Sequence, residues 1–396
     1  MTIPLSDLTT LRVGGAPERM VDATTRDELI AALREVWESG EEWTVLGGGS
    51  NLLASDDPFE GTIIRILTSG FAVVGGEGDL VRVRIEAGQN WDEFVSWTVD
   101  AGLAGVEAMS GIPGTAGAAP IQNVGAYGQE IVQTLVEVEL IDEATWEVVT
   151  VPASELELGL RTSVLKRHDG HPPERSAVVL SLTLDLRRVG TERRVLTDQR
   201  LIGALFGPSV PVACPVACPV ACPEPVEGPV EGPVEASLAE IRQRVLDIRA
   251  SKGMVLDPED TDTRSAGSFF QNPVIPETLV RALPSDCPRY PVEPEVEPLT
   301  VIPLEAYTGE LPQLGGTTGS VKVPAAWLIE HAGIYKGFRL PGSRAGVSSK
   351  HALAITNRGG ASAAEIAQLA RFIQGRVAAE FGIELRPEPV LLGVEL

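Results

Sequence analysis

Apolar residues recur along this chain at two periods, and the period changes from one stretch to the next. Leu29, Ala32, Leu33 and Val36 fall at helical spacing, with Thr25 and Glu28 ahead of them as a capping box and Gly40 behind them as a stop. The spacing predicts a helix between Thr25 and Gly40. Trp43 to Leu46 follows as a short apolar run, a strand that leads straight into Gly47-Gly48-Gly49-Ser50-Asn51. Val81, Val83 and Ile85 then alternate with Arg82, Arg84 and Glu86, as in a strand buried on one face, and Gly88 ends the alternation. A helix from about Trp91 to Val99 and strands near 135–151 and 177–187 come next. After a helix from Ser237 to about Ala250, the last element is an amphipathic helix from Ser362 to Phe381. It has a Ser362/Glu365 capping box, a stripe of Ile366, Leu369, Ile373 and Val377, and Gly382 as its stop.

Two stretches follow neither period. Residues 105–128 are rich in Gly, Pro and Ala, which points to backbone shaped around something other than itself. Residues 208–236 repeat a Pro-Val unit, first as PVAC and then as PVEG; the prolines remove ladder donors, so an extended surface insertion that can be deleted without loss of folding is expected. Cys214, Cys218 and Cys222 recur with that repeat and have no histidine beside them, so they are read as part of the repeat and not as a metal site. A length of 396 residues allows two or three domains, and no apolar run reaches membrane-spanning length. The start MTIPLSDLTT has neither a basic nor an apolar leader region, and cysteine use shows no disulfide framework; the cytoplasm is the expected compartment. A net charge of −23 disfavours wrapping a polyanion, so no nucleic-acid partner is expected.

Three kinds of chemistry drop out first. The chain has no G-x-x-x-x-G-K-[ST] phosphate loop and no G-x-G-x-x-G opening a βαβ unit, and His168, His171, His331 and His351 show no metal-ligand spacing. Two glycine-rich loops remain. Gly47-Gly48-Gly49-Ser50-Asn51 after a strand exposes consecutive N–H groups in a way that can cradle a pyrophosphate. The stretch 111–128, GIPGTAGAAPIQNVGAYG, carries five glycines and four alanines in 18 positions, so its main chain can approach a flat ligand. A pair of tight turns explains either loop alone; together they favour a cofactor site.

The blocks TTLRVGG (9–15), LGGGSNLL (46–53), GIPGTAGAAPIQNVGAYG (111–128), LRTSVLK (160–166), SAGSFFQNP (265–273), KGFRLPGSRAGVSSKHAL (336–353) and RPEPVLLG (386–393) resemble, in order, those of the UDP-N-acetylenolpyruvoylglucosamine reductase family of peptidoglycan synthesis. The resemblance implies an α+β protein. Its FAD-binding region, of the vanillyl-alcohol-oxidase type, would fall in two parts, 1–70 and 71–205; the Pro-Val insertion (206–236) would follow, and then a C-terminal α+β substrate-binding domain (237–396). It implies FAD and NADPH as cofactors, UDP-N-acetylglucosamine enolpyruvate as substrate, and a place in cell-wall precursor synthesis. The first loop would hold the FAD diphosphate through Gly47, Gly48, Gly49, Ser50, Asn51 and Leu52. The second would line the flavin through Gly111, Gly114 and Gly117, with Asn123, Ala126 and Tyr127 nearest the ring and substrate. Ser268 would donate a proton to C2 of the substrate, while Arg161 and Glu388 would polarise its carboxylate.

Those residue types suit the reaction, because an enolate-like dianion needs a fixed cation and a donor, and a serine suffices as acid when the acceptor is a strongly basic carbon. Without the resemblance, Arg161 reads as a surface ion pair, Ser268 as a helix N-cap before Phe269-Phe270, and Glu388 as a solvated residue of a terminal strand. Both NADPH and a UDP-sugar are anions, so local charge has to oppose net charge. Lys252, Arg264, Lys322, Lys336, Arg339, Arg344 and Lys350 form the basic set, and the resemblance gives Lys252, Asn272, Tyr290 and Lys336 to the UDP-sugar. Two positions depart from the family: Asp198 stands after Leu196-Thr197 where a clamping tyrosine is common, and Leu160 stands where an aromatic often precedes the arginine. The alternatives are a flavin oxidase of the same superfamily and a non-catalytic UDP-sugar binder; the Ser268 and Glu388 blocks count against both.

Overall fold

In the computed structural model the helix expected before Gly40 runs from Arg26 to Ser39. Glu28 N donates to Thr25 Oγ1 at 3.3 Å, Thr25 N donates back to Glu28 Oε2 at 3.1 Å, and Gly40 closes the last turn at φ 68°. The structure describes residues 2–166, 173–207, 233–292 and 320–396. Residues 208–232 of the repeat, with Cys214, Cys218 and Cys222, lie outside the described residues, as do His168 and His171.

Leu29, Ala32, Leu33 and Val36 pack that first helix on a parallel sheet in the order Pro17–Ala23, Phe59–Ile66, Trp43–Leu46. A second, antiparallel sheet follows the order Val148–Pro152, Leu135–Asp142, Ala177–Arg188, Leu80–Glu86, Phe71–Gly75, with Leu103–Ala104 also on Ala177–Arg188. Its alternation is the one the sequence predicts: Val81, Val83 and Ile85 are buried, while Arg82 turns the other way to a two-bond contact with Asp185. Helix Trp91–Asp100 adds Trp91, Phe94 and Val95 to the same core. Arg26, at the start of the first helix, and Arg84, on the second sheet, both bond Glu139. The hydrogen bond from Arg26, with the charges of both guanidinium groups, holds the Glu139 carboxyl below its usual range.

The C-terminal part builds its own core from Phe269, Phe270, Leu328, Ile366, Leu369 and Ile373, and draws Leu11, Val13 and Leu53 from the beginning of the chain into it. Each buried side chain of this kind contributes roughly 1.5–3 kcal/mol of transfer free energy, as an upper figure. Polar ties follow the same route. Thr10 Oγ1 donates to Ser265 O at 2.6 Å, Asn357 Nδ2 donates to Leu11 O and Arg12 O at 3.1 Å, and Ala363 N, opening helix Ala363–Phe381, donates to Asp56 Oδ2 at 2.7 Å. The last strand, Val390–Leu392, pairs in parallel with Leu52–Ala54, directly after the first glycine loop. The end of the chain is thereby brought to the loop.

Helix Gln199–Phe206 is among those with no counterpart in the periodicity. Gln199–Phe206 is capped by Asp198, whose carboxylate accepts from Arg200 N at 2.9 Å and Leu201 N at 3.2 Å, and its Leu201 and Leu205 pack with Ile241, Val245 and Ile248 of helix Leu238–Ser251. Asp198 therefore stands where a clamp was missed because it starts a helix.

Candidate active site

The two glycine loops lie against each other. A Cβ on Gly47 would stand 2.6 Å from Thr115 Oγ1, one on Gly48 2.7 Å from Gly114 Cα, one on Gly49 2.1 Å from Leu8 O, and one on Gly114 2.8 Å from Ser50 Oγ. Gly49 and Gly114 also take φ of 60° and 123°. Ser50 Oγ donates to Pro113 O at 2.9 Å. A Cβ on Gly111 would meet Leu246 at 2.8 Å and one on Gly117 would meet Ala87 Cβ at 2.7 Å. The missing side chains thus make room for protein at these positions. What the packing leaves over is backbone: among the described residues, the N–H groups of Gly47, Gly48, Gly49, Ser50 and Asn51 donate to no protein acceptor. Gly48 is exposed and Gly47, Ser50 and Asn51 half-buried. A row of unpaired donors at the end of a strand is a nest for an anion, and the diphosphate of FAD fits it.

Other residues of the cofactor set have different parts. Leu52 enters the ladder with Val390. Asn123, at φ 46°, spends its amide on the protein: Nδ2 donates to Gly159 O at 2.9 Å and Glu130 Oε2 at 3.0 Å, and Oδ1 accepts from Val132 N at 3.2 Å. Its side chain holds the loop to the Arg161 segment and has no N–H left for a ligand. Ala126 sits in a two-residue hairpin, Gly125–Ala126 with Gln129–Glu130, and Tyr127 forms its turn at φ 51°. Burial pushes the Tyr127 hydroxyl above its usual range, so it stays protonated and able to donate.

Arg161 and Glu388 come from distant parts of the chain and meet, and the segment of Ser268 runs beside Glu388. Arg161 takes φ 58° in a tight turn bridged by Gly159 and Thr162; its Nε lies 3.5 Å from Glu388 Oε1, and its Nη2 donates to Gly125 O at 3.4 Å. Glu388 N donates to Phe269 O at 2.9 Å, which places the Glu388 backbone beside the Ser268 segment. Ser268 begins no helix, and among the described residues its half-buried hydroxyl has no protein partner; the N-cap alternative falls away. Glu388 precedes the last strand by two residues and its side chain is only 13% exposed, which removes the solvated alternative.

Positive charge gathers nearby. Lys252 ends helix Leu238–Ser251 with its ammonium 5.9 Å from the centre of the Tyr127 ring. Burial, and then the charges of Arg249 and Lys336, push Lys252 below its usual range. The same Lys252 and Lys336, after burial, push His351 down to about 4. Periodicity gave no sign of His351; Arg249, three residues before Lys252 and so on the same helix face, was legible in principle. Lys350 is taken up by Asp260 at 2.5 Å and Arg264 by Pro258 O at 3.1 Å. Asn272 Oδ1 accepts from Ala325 N at 2.9 Å at the start of helix Ala325–His331, and Tyr290, 53% exposed, pairs in a strand with Lys322. Among the described residues no hydrogen bond, ion pair or ring contact joins either of them to Lys252 or Lys336.

Residues 17–151 match a family model described as an FAD binding domain. With the row of unpaired N–H donors in the first loop, this makes the protein an FAD-dependent oxidoreductase. Residues 257–392 match the C-terminal domain of UDP-N-acetylenolpyruvoylglucosamine reductase. The reductase of that name from Leifsonia xyli subsp. xyli (strain CTCB07) is 49% identical over 402 residues, covering 100% of both chains, and that of Thermobifida fusca (strain YX) is 41% identical over 396 residues, covering 100% of this chain and 98% of its own. The crystal structure of the Thermus caldophilus reductase, 23% identical, aligns with a TM-score of 0.58 over 98% of this chain and 97% of that one, and has the same fold. The chain belongs to the UDP-N-acetylenolpyruvoylglucosamine reductase family.

Proposed function

We propose that this protein reduces UDP-N-acetylenolpyruvoylglucosamine to UDP-N-acetylmuramate, with FAD and NADPH, as a step in peptidoglycan precursor synthesis in the cytoplasm. The observation that carries the proposal is the convergence of Arg161, Glu388 and the Ser268 segment beside the diphosphate nest. Bound FAD supplies the hydride, drawn from NADPH, that adds to C3 of the enolpyruvyl ether. The N–H groups of Gly47 to Asn51 hold its diphosphate, and Tyr127 borders the substrate space. Arg161 binds the substrate carboxylate as negative charge builds on it, and Glu388, when protonated, adds a hydrogen-bond donor beside that fixed cation in a site of low exposure. Ser268 delivers a proton to C2 and is reprotonated from solvent; its hydroxyl is committed to no protein acceptor and is free to turn toward carbon. Lys252 and Lys336, with Asn272 and Tyr290 farther out, take the UDP-sugar, and the gathering of cations resolves the tension with a net charge of −23.

Two alternatives give way here. A flavin oxidase has no use for a proton donor aimed at carbon, and a mere binder has no use for the nest and the triad together. The test is a colour change: purified protein is yellow, NADPH bleaches it anaerobically, and the enolpyruvyl substrate restores the colour. Bleached protein that only oxygen recolours would make it an oxidase, and colourless protein that still binds UDP-sugar would make it a binder.

A further inference from the structure

Around Arg161 and Glu388 the hydrogen bonds close into a ring. Arg161 Nε faces Glu388 Oε1 at 3.5 Å, and Glu388 O accepts from Asn51 Nδ2 at 3.3 Å. Asn51 Nδ2 also donates to Gln122 Oε1 at 3.4 Å, Gln122 Oε1 accepts from Lys166 Nζ at 3.3 Å, and Lys166 Nζ donates to Arg161 O at 2.8 Å. The ring joins the first glycine loop, the second glycine loop, the Arg161 turn and the C-terminal segment, four pieces that the sequence keeps far apart. Its shortest link is the one from Lys166, and Lys166 is buried.

That link bears on the conformation of Arg161. A non-glycine residue at φ 58° is under strain, and an arginine has no local side-chain bond to relieve it. A charge-assisted bond from a buried ammonium to the carbonyl of that same residue outweighs the cost. Ser163 Oγ, donating to Ile121 O at 2.6 Å, pins the same turn to the second loop from its other side. Were Arg161 to relax into the right-handed region, its side chain would leave Glu388.

Given the function proposed above, we infer that Lys166 is a positioning residue: it holds the Arg161 backbone in its left-handed conformation and, through Gln122 and Asn51, fixes the distance between the Arg161 and Glu388 side chains. Its removal acts through the placement of Arg161 and Glu388, and so on carboxylate binding and protonation.

The test is Lys166→Met in the full-length, FAD-loaded protein, with two readouts. In stopped flow, flavin reduction by NADPH stays within about threefold of wild type, while reoxidation by the enolpyruvyl substrate slows roughly 10²-fold, the effect of a misplacement of about an ångström. In calorimetry, affinity for UDP-N-acetylmuramate falls roughly 10- to 100-fold, as for a lost charged hydrogen bond, and affinity for UDP-N-acetylglucosamine, which lacks the carboxylate, is unchanged. Lys166→Arg, which can still donate to the carbonyl, recovers part of both losses. Should the Met variant fail to fold, Gln122→Leu cuts the ring at its shared acceptor and moves both readouts in the same direction by less. Equal slowing of the two half-reactions, equal loss of both ligands, or no change in either readout overturns the role of Lys166. Wild-type protein that the enolpyruvyl substrate cannot reoxidise overturns the proposed function instead.

Discussion

Gly47→Ala separates two reasons for a glycine in the first loop. The new methyl would stand 2.6 Å from Thr115 Oγ1, with the remaining Thr115 atoms at 3.7 Å and beyond, and Gly47 carries no positive φ. Its whole cost is therefore overpacking against one hydroxyl, about 1–3 kcal/mol, and it is relieved by removing that hydroxyl. Thermal melting and flavin absorbance of Gly47→Ala, Thr115→Ala and the double variant form a cycle. The single Gly47 variant melts lower and loses flavin, and adding Thr115→Ala restores most of both. Gly49→Ala behaves otherwise, because its methyl meets a backbone carbonyl, Leu8 O, at 2.1 Å and its φ is 60°; strain of about 1–2 kcal/mol adds to the clash and no side-chain change relieves it. A Gly47→Ala protein of normal stability, or one that Thr115→Ala leaves unrescued, would refute loop-on-loop packing as the reason for this glycine. Flavin loss that persists in a fully stabilised double variant would return the reason to the ligand.

Asp198→Ala removes the cap of helix Gln199–Phe206 and lowers stability by about 1 kcal/mol in denaturant melts, with flavin content unchanged. His351 titrates near 4 in the fold and near 6.5 when unfolded, so the unfolded chain binds the extra proton. Stability accordingly falls as pH drops from about 6.5 to about 4, by roughly 3 kcal/mol in full, and His351→Gln removes that part of the slope in melts across the range. Lys252→Met takes away one of the two charges that depress His351 and raises its pKa, as followed by NMR of the imidazole.

The local devices of the fold were legible. Capping boxes at Thr25/Glu28 and Ser362/Glu365, left-handed stops at Gly40 and Gly382, and the alternation of Val81, Val83 and Ile85 are short-range patterns, and each element formed where its pattern lay. Helix Gln199–Phe206 was not, because eight residues carry too little periodicity and its cap, Asp198, reads equally well as a turn. The pairing of Val390–Leu392 with Leu52–Ala54 and the burial of Leu11 and Val13 among C-terminal residues depend on tertiary approach, for which a single sequence has no local signal. At the candidate site, Arg161, Ser268 and Glu388 were proposed through their motif contexts, whereas Gln122, Lys166 and His351 stand out only by what they touch. For the glycines, spacing reveals where side chains are absent and leaves open what fills the space, and at Gly47, Gly48 and Gly114 an added Cβ would meet protein.

The central claim is that Ser268 protonates carbon beside the Arg161–Glu388 pair, and Ser268→Ala in anaerobic stopped flow tests it most directly. The account predicts that NADPH reduces the bound flavin at close to the normal rate while reoxidation by the enolpyruvyl substrate slows by roughly 10² to 10⁴, with Ser268→Cys retaining more activity than Ala because a thiol can also donate. Equal slowing of both half-reactions would contradict it and leave Glu388 as the next candidate for the proton donor.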